Sequence, residues 1–315
     1  MYVYKPDIVI YHGGCPDGIA SAVTFHQRFT DLEMTAFHPA FHKSHTKLPE
    51  CINKVVYLLD FCYPQEEMKH ILDRAKHVVV IDHHKSSLWL LQNKFPNLET
   101  VIDMEYSGAQ LTWQYCFPAE RVPWYIDDIA DRDLWRFTIP GSKEVGAAMF
   151  SLGYYTSMNA FASHINKRSR PELFKMGQIL QSQTDDFIRR CVSRAIDCNM
   201  TLILGGKPVT YKVRLVHKPF MNHSEVGNAL VADRKCHFAI MYQLGLAEGE
   251  WWFSVRAHPD SDVDLPAILT ALDKNAGGHV KAAGFTLRIQ DIPDLRTLFV
   301  PLSDQEKHSL SDTII

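Results

Sequence analysis

The sequence has little net charge, no long apolar run and no paired-cysteine motif. Its 315 residues carry a formal charge of −3, which excludes the strong basic field typical of proteins that bind long nucleic acids. No apolar run approaches the roughly 20 residues that a transmembrane helix needs. The first residues also lack the basic and apolar regions of a signal peptide. We therefore expect no membrane partner.

The seven cysteines are scattered along the chain and never form a C-x-x-C pair. An odd number at irregular spacing is typical of reduced thiols, so we expect a cytoplasmic protein without structural disulfides. The apolar fraction of 46% and the charged fraction of 22% are ordinary for a globular protein. At this length two domains are more usual than one.

The first half of the chain contains apolar runs that stop at acidic or imidazole side chains. A run of β-branched residues is typical of a strand in a parallel sheet that is covered on both faces. These runs are residues 8–11 before His12, residues 55–59 before Asp60, residues 78–81 before Asp82-His83-His84 and, more weakly, residues 125–130 before Asp131.

The carboxyl ends of parallel strands meet at one edge of a sheet, where ligands bind. We therefore expect the polar residues after these runs, together with Asp17, to lie in one place. The set contains carboxylates and imidazoles and no thiolate, which suits Mn²⁺ or Mg²⁺, with Zn²⁺ and Fe²⁺ as alternatives. For the last run the sequence favours Asp131 over Asp133 as a ligand, while a plain surface ion pair with Arg132 is a further alternative.

In the second half, the pattern of apolar and polar residues changes after a long helical segment, residues 172–196. Alternating, strand-like runs follow from residue 201, so we place a domain boundary near residue 195. Alternation within residues 251–256 predicts that Arg256 shares a face with Trp252 and Ser254, where its guanidinium could bind a phosphate. We expect Gly277-Gly278-His279 to precede a helix and to offer backbone N–H groups to an anion.

Taken together, these motifs resemble the DHH phosphoesterase superfamily, over about residues 8 to 290. Asp82-His83-His84 after an apolar strand matches the motif that names the superfamily. His12 with Asp17 resembles its first motif, Asp60 its second, and Asp131 its fourth. Gly277-Gly278-His279 with Ala282-Ala283-Gly284 resembles the signature of the associated C-terminal domain, DHHA1.

The resemblance implies an α/β fold in two domains with the active-site cleft between them. Residues 1–195 would form the catalytic domain on a parallel sheet, and residues 196–315 a smaller substrate-binding domain on a mixed sheet. The implied metal ligands are His12, Asp17, Asp60, His83 and Asp131, with His84 and Asp82 as catalytic residues. Arg256, Gly277, Gly278 and His279 would bind the substrate.

The implied activity is hydrolysis of phosphoester bonds by a Mn²⁺-dependent enzyme, with Mg²⁺, Co²⁺, Zn²⁺ or Fe²⁺ as other metals. Substrates of this branch are short RNA or DNA oligonucleotides, as for a nano-RNase (an oligoribonuclease), and small nucleotides such as nucleoside bisphosphates and cyclic dinucleotides. A hydrolase of inorganic polyphosphate or pyrophosphate and a non-catalytic nucleotide-binding module are the alternatives. The resemblance is also compatible with a homodimer.

One departure concerns the first motif, which often carries a second acid two residues after the first. Ile19 stands at that position when Asp17 is taken as the first acid. Two metal ions are expected, and Ile19 leaves the occupancy of the second site open.

Overall fold

The computed structural model describes residues 4–33, 36–41, 48–219, 222–245, 248–274, 276–303 and 305–306. The chain divides into two compact units, Met1–Gln181 and Ser182–Ile315. The division falls within one long helix, Arg170–Val192, so this helix contributes to both units. The functional boundary after residue 195 stays a prediction. No described helix is long and apolar enough to cross a lipid bilayer.

The first unit contains a five-stranded sheet in the order β2-β1-β3-β4-β5, and every pairing in it is parallel. The strands are β1 (Ile8–His12), β2 (Phe37–Ala40), β3 (Val55–Leu59), β4 (His77–Asp82) and β5 (Leu98–Ile102). The helices are α1 (Pro16–Arg28), α2 (Gln65–Leu72), α3 (Trp89–Gln92), α4 (Gly108–Cys116), α5 (Trp124–Asp133), α6 (Ser142–Ser151), α7 (Met158–His164) and α8 (Arg170–Val192). The parallel α/β first domain predicted from the sequence is confirmed.

This sheet is buried on both faces, which explains the unbroken apolar runs. In β4 the side chains of Val79 and Ile81 join one core cluster, while Val78 and Val80 join the other. All four are fully buried. Because neighbouring residues of a strand point to opposite faces, a strand covered on both sides has to be apolar at every position.

One predicted strand, residues 125–130, is wrong, because the segment lies in helix α5. Its buried apolar residues are Tyr125, Ile126, Ile129 and Ala130, a spacing that follows the helical period rather than strand alternation. Pro123 stands at the N-cap position, directly before the first helical residue. The fifth strand of the sheet is instead β5, which pairs with β4.

The second unit contains a seven-stranded mixed sheet in the order β10-β11-β9-β8-β7-β6-β12. Among its described strands, only β7 and β8 pair in parallel. The strands are β6 (Ile196–Leu204), β7 (Lys207–His217), β8 (Phe238–Gly245), β9 (Glu250–Ala257), β10 (Gly277–His279), β11 (Ala282–Arg288) and β12 (Val300–Pro301), and the helices are α9 (His223–Val231) and α10 (Leu265–Leu269). The predicted mixed sheet is confirmed.

The two faces of this sheet belong to different core clusters. Phe253 and Val255 of β9 pack into a cluster with Phe285 of β11. On the other face, Ala239 and Met241 of β8 pack with residues of α9 and of the end of α8. The face of β9 that lies opposite Phe253 and Val255 carries Trp252, Ser254 and Arg256, as the sequence predicts.

Helices α6 and α8 approach each other closely at Gly177. A Cβ atom on Gly177 would lie 1.8 Å from the carbonyl oxygen of Glu144 in α6, which is far inside van der Waals contact. Glycine is therefore required here for packing. Gly146, also in α6, has no such constraint, because its Cβ would meet Arg132 only at 3.9 Å.

We expect Gly177→Ala to lower the free energy of unfolding by about 1–3 kcal/mol, because the helices have to separate to admit the methyl group. The control is Gly146→Ala, which should raise the free energy of unfolding by about 0.5–1 kcal/mol, since alanine is the better helix former. Urea denaturation followed by circular dichroism measures both values. Equal stability of the two variants would contradict the packing described here.

Candidate metal and phosphoester site

Three neighbouring strands of the first unit end at the same edge of the sheet. His12 is the last residue of β1, Asp60 follows β3, and Asp82 is the last residue of β4. Asp60 has a φ of 54°, in the left-handed region, and its N–H donates to the Ile81 carbonyl at 2.8 Å. Aspartate tolerates this backbone conformation better than most residues. The strand ends therefore bring polar side chains together around Asp60.

The Asp60 carboxylate is the centre of the cluster. Its Oδ2 lies 3.3 Å from His12 Nδ1, and its Oδ1 lies 3.1 Å from His83 Nε2 and 3.8 Å from His84 Nδ1. Asp60 Oδ1 and His83 Nε2 are both buried, and neither has a hydrogen-bond partner of good geometry among the described residues. Two buried polar atoms without such a partner fit a site that holds a cation between them.

Asp17 is positioned by two helices. It lies in the first turn of α1, and its carboxylate accepts hydrogen bonds from the N–H groups of Gly108 (2.6 Å) and Ala109 (3.1 Å) at the start of α4. A Cβ on Gly108 would lie 2.6 Å from Asp60 Cβ, so glycine is required for this approach. Asp17 Oδ2 lies 3.8 Å from His83 Nε2. The predicted residues His12, Asp17, Asp60 and His83 are thus brought together.

Asp82 faces away from the centre of the cluster and contacts His84. Its Oδ1 lies 2.7 Å from His84 Nδ1 and accepts a hydrogen bond from the N–H of His83 at 2.8 Å. Its other oxygen accepts from the hydroxyl of Ser87. The carboxylate can only accept, so His84 carries a proton on Nδ1 and directs Nε2 away from Asp82.

The structure does not bring Asp131 to this cluster. Its Oδ1 accepts from the backbone N–H of Thr138 (2.8 Å) and its Oδ2 from that of Ile139 (3.1 Å). The hydroxyls of Thr138 and Ser142 also donate to it. Both oxygens are therefore occupied in holding the turn between α5 and α6.

Asp133 lies by the cluster instead, with its Oδ2 3.4 Å from His83 Nε2. Had residues 125–133 been a strand, Asp131 and Asp133 would share a face; on a helix, residues two apart lie on nearly opposite sides. The preference for Asp131 followed from its position directly after the apolar run, which a strand end would have placed at the edge of the sheet. The helix at α5 separates the two carboxylates and directs Asp133 to His83.

Cys15 also lies in this cluster, although its place in the sequence did not lead us to predict a ligand there. Its sulfur lies within 4.8 Å of ligand atoms of both His12 and Asp60. Two further groups of this kind are Asp60 with His83 and His84, and Asp17 with His83 and Asp133. The spacing of Cys15, two residues before Asp17, equals the spacing of the paired acids in the first motif and was the available signal. Ile19, by contrast, is buried in the apolar core.

The acids of the cluster are electrostatically frustrated when no cation is present. Burial and the negative charges of Asp60 and Asp133 raise the pKa of Asp17 well above its ordinary value. Burial and Asp60 raise the pKa of Asp133 to about 6. Burial would lower the pKa of His83, but Asp60, Asp17 and Asp133 outweigh it and raise that pKa to about 10. A divalent cation would relieve this excess of negative charge.

The second unit carries a separate group of basic side chains. Arg256 on β9 donates to Ser224 Oγ and to the Val255 carbonyl, both at 3.0 Å. Burial and then the charge of Arg256 lower the pKa of Lys218, while burial, Lys218 and Arg256 lower that of His223. Three partly buried basic groups that repel one another fit an anion-binding site. The sequence predicts Arg256 as a phosphate-binding residue, whereas Lys218 and His223 carry no local signal of this role.

The glycine motif has a different structure from the predicted one. Residues Gly277–His279 form strand β10, paired with β11, and the expectation of a helix start here is wrong. His279 pairs with Ala282, which in turn pairs with Arg256. Residues paired in this way share a face, so His279 and Arg256 lie on one face about 10 Å apart across two strand spacings. Gly278, with φ of 137°, leaves no room for a Cβ beside Ala282.

Comparisons with known proteins give one sequence relative and several structural ones. No family model matches the chain. Uncharacterized protein R106 of Acanthamoeba polyphaga mimivirus is 25% identical over 291 residues. The alignment covers 88% of this chain and 66% of R106, so the chain spans just under two thirds of that relative's length.

Among solved structures, the pGpG-specific phosphodiesterase PggH from Vibrio cholerae superposes with a TM-score of 0.51 at 15% identity, covering 96% of this chain and 98% of PggH. RecJ from Thermus thermophilus, in complex with Mn²⁺, superposes with a TM-score of 0.48 at 15% identity over 92% of this chain and 51% of RecJ. The similarity to PggH spans both units, each with the sheet type predicted for it. The chain therefore shares the fold of PggH, with a parallel sheet in the first unit and a mixed sheet in the second, as the sequence predicts.

Proposed function

We propose that the chain is a metal-dependent phosphoesterase that hydrolyses a phosphoester bond of short oligonucleotides or small nucleotides. The observation that carries this proposal is the set of carboxylates and imidazoles around Asp60, with Asp17 and Asp60 buried, at the carboxyl edge of the parallel sheet. Divalent cations in such a set neutralise the oxygens of a phosphate during hydrolysis. The likeness in fold to a pGpG-specific phosphodiesterase supports a nucleotide substrate.

Within this class we propose a linear dinucleotide as the preferred substrate. The similarity to PggH extends over nearly the whole of both chains, which is the support for a substrate of similar size. Arg256 and Lys218 in the second unit are basic side chains that would bind a phosphate of that substrate, and His223 lies beside them. Nucleoside bisphosphates, cyclic dinucleotides and inorganic polyphosphate are the competing substrates that the assay has to include.

Divalent ions bound at this site would supply Lewis-acid charge and would lower the pKa of a water molecule. The donor atoms of His12, Asp17, Asp60, His83 and Asp133 would hold these ions. Mn²⁺ fits the oxygen-rich part of this set. The Asp60 carboxylate approaches His12 with one oxygen and His83 with the other, so both of its oxygens would be available to hold divalent ions.

His84 is the proposed proton donor. Because Asp82 holds its Nδ1, the atom that would deliver a proton to the leaving oxygen is Nε2. Burial would lower the pKa of His84, but Asp82 and Asp60 outweigh it and raise the pKa. A raised pKa favours the protonated imidazole that a general acid requires. Asp82 is thus a positioning residue that acts through His84.

The direct test is an assay in Mn²⁺ with a 5′-phosphorylated linear dinucleotide, a nucleoside 3′,5′-bisphosphate, a cyclic dinucleotide and polyphosphate. We expect the linear dinucleotide to be converted to two mononucleotides with the highest kcat/KM. Asp60→Asn should lower this value at least about a hundredfold, because the site loses the carboxylate charge that lies between His12 and His83. Arg256→Ala should raise KM for the dinucleotide and leave turnover of bis(4-nitrophenyl) phosphate unchanged. No turnover of any substrate would reject the proposal.

The choice between Asp133 and Asp131 as a ligand can be tested with a matched pair of variants. Asp133→Asn should weaken Mn²⁺ binding at least about tenfold while the metal-free protein keeps its stability, since the change removes a repelled charge. Asp131→Asn should lower the free energy of unfolding by about 2–3 kcal/mol, because the turn after α5 loses charged hydrogen-bond acceptors, and should leave Mn²⁺ affinity unchanged. Calorimetric titration and urea denaturation provide both readouts. The reverse result would restore Asp131 as the ligand.

The raised pKa values also predict a pH dependence of metal stabilisation. Asp17, Asp133 and His83 bind more protons folded than unfolded, so the stability they contribute to the metal-free protein is lost as pH rises through their folded-state pKa values, about 6 for Asp133 and about 10 for His83. Metal binding has to displace these protons. We therefore expect Mn²⁺ to raise Tm more at about pH 8 than at about pH 6.

Differential scanning fluorimetry of chelator-treated protein, with and without Mn²⁺, measures this difference. Asp133→Asn serves as the control, because removal of one titrating carboxylate should flatten the dependence on pH. A larger increase in Tm at the lower pH would contradict the assignment of these groups to the metal site.

A further inference from the structure

The site around Asp60 has two chemically different sides. Asp60 Oδ1 faces His83, which is surrounded by the carboxylates of Asp17 and Asp133. Asp60 Oδ2 faces His12, and the sulfur of Cys15 lies within 4.8 Å of ligand atoms of both His12 and Asp60. One side of the shared carboxylate is therefore rich in oxygen, and the other offers nitrogen, oxygen and sulfur.

We propose that Cys15 is a thiolate ligand of the metal ion on the His12 side, which makes the two metal positions different in chemical preference. This inference rests on the proposed function, because it concerns the metal centre of that same activity. The His12–Cys15–Asp60 position takes Zn²⁺, Fe²⁺ or Co²⁺ in preference to Mn²⁺ or Mg²⁺, since thiolate is a soft donor. The position between Asp17, His83 and Asp133 keeps the preference of an oxygen-rich site for Mn²⁺ or Mg²⁺.

In the metal-free protein, burial and then the carboxylates of Asp60, Asp133 and Asp17 raise the pKa of Cys15 well above its ordinary value, so its side chain is a thiol until a cation binds. Cys15 is the N-cap residue of α1, a helix of 13 residues, and no side-chain hydrogen bond caps that end of the helix. The partial positive charge of a helix N-terminus stabilises a thiolate. As the sulfur–metal bond forms, the thiol proton passes to solvent, so binding at this position releases one proton.

Loop structure directs the side chain of Cys15 toward the cluster rather than into the core. The residue follows Gly13 and Gly14, and Gly14 has a φ of 69°, which turns the chain after β1. Cys15 is only partly buried, as is Cys191, whereas the five other cysteines are buried. Cys15 is also the only cysteine among the described residues that falls in a candidate metal-binding group.

Cobalt spectroscopy of the full chain tests the assignment without using enzymatic activity as the readout. Co²⁺ bound to wild-type protein should show a sulfur-to-cobalt charge-transfer band in the near ultraviolet. Cys15→Ser and Cys15→Asp should lose this band, and Cys191→Ser, the control with the other partly exposed thiol changed, should keep it. The ratio of Zn²⁺ to Mn²⁺ affinity should fall at least about tenfold in Cys15→Asp.

Thiol labelling provides a second measurement that does not depend on the folding of any Cys15 variant. In the Cys191→Ser protein, Zn²⁺ should slow the reaction of Cys15 with a thiol reagent, and Mg²⁺ should not. A charge-transfer band that persists in Cys15→Ser, or Cys15 labelling that Zn²⁺ leaves unchanged, would overturn the proposal. Co²⁺ binding without the band in the wild type, alongside Mn²⁺-dependent hydrolysis, would overturn the role of Cys15 and leave the phosphoesterase function intact. Absence of any metal binding would overturn both.

Discussion

The shared carboxylate of Asp60 is the feature on which the remainder of the first unit depends. It lies after a fully buried strand, in a left-handed backbone conformation, with His12 on one oxygen and His83 on the other. Neighbouring elements adapt to it: α4 begins with Gly108 because no other residue fits against Asp60. The N–H groups at the start of α4 then hold Asp17, a second buried carboxylate, beside the first.

This arrangement concentrates negative charge where water cannot screen it, which the energetics of folding alone would not favour. Backbone donors stabilise Asp17, and imidazoles stabilise Asp60, yet burial and mutual repulsion still raise the pKa of Asp17 and Asp133. Clusters with such opposed pKa shifts are characteristic of functional sites rather than of packed cores. The apolar layers on both faces of the sheet supply the stability that this local conflict opposes.

Much of the site could be predicted from the sequence because the ends of parallel strands are marked by the ends of apolar runs. That rule placed His12, Asp60 and His83 together, and the structure brings them within hydrogen-bonding or ion-pairing distances. It failed for Asp131, because a short segment with two adjacent apolar residues fits both a strand and a helix. Only the tertiary structure distinguishes them, and that distinction decides which of two acids lies beside His83.

Cys15 was missed for a different reason. All seven cysteines were predicted to be reduced thiols because of their irregular spacing along the chain. Whether a cysteine can bind a metal ion depends instead on which side chains lie near it in space. In the second unit, Arg256 was found from strand alternation, but its basic neighbours Lys218 and His223 come from the end of β7 and the start of α9, which no local pattern connects. The helix expected after Gly277 was excluded by pairing with β11, a contact between strands that composition does not reveal.

The pairing of His279 with Ala282 and of Ala282 with Arg256 has a consequence for molecular recognition. The backbone hydrogen-bond ladder fixes the Cα positions of His279 and Arg256 two strand spacings apart, and their side chains extend from these fixed positions on one face. The small methyl group of Ala282 lies between His279 and Arg256 and leaves space above it on this face of the sheet. A larger residue at position 282 would fill the space between His279 and Arg256 without moving either of them. The size of residue 282 therefore limits how much of this space a ligand can occupy.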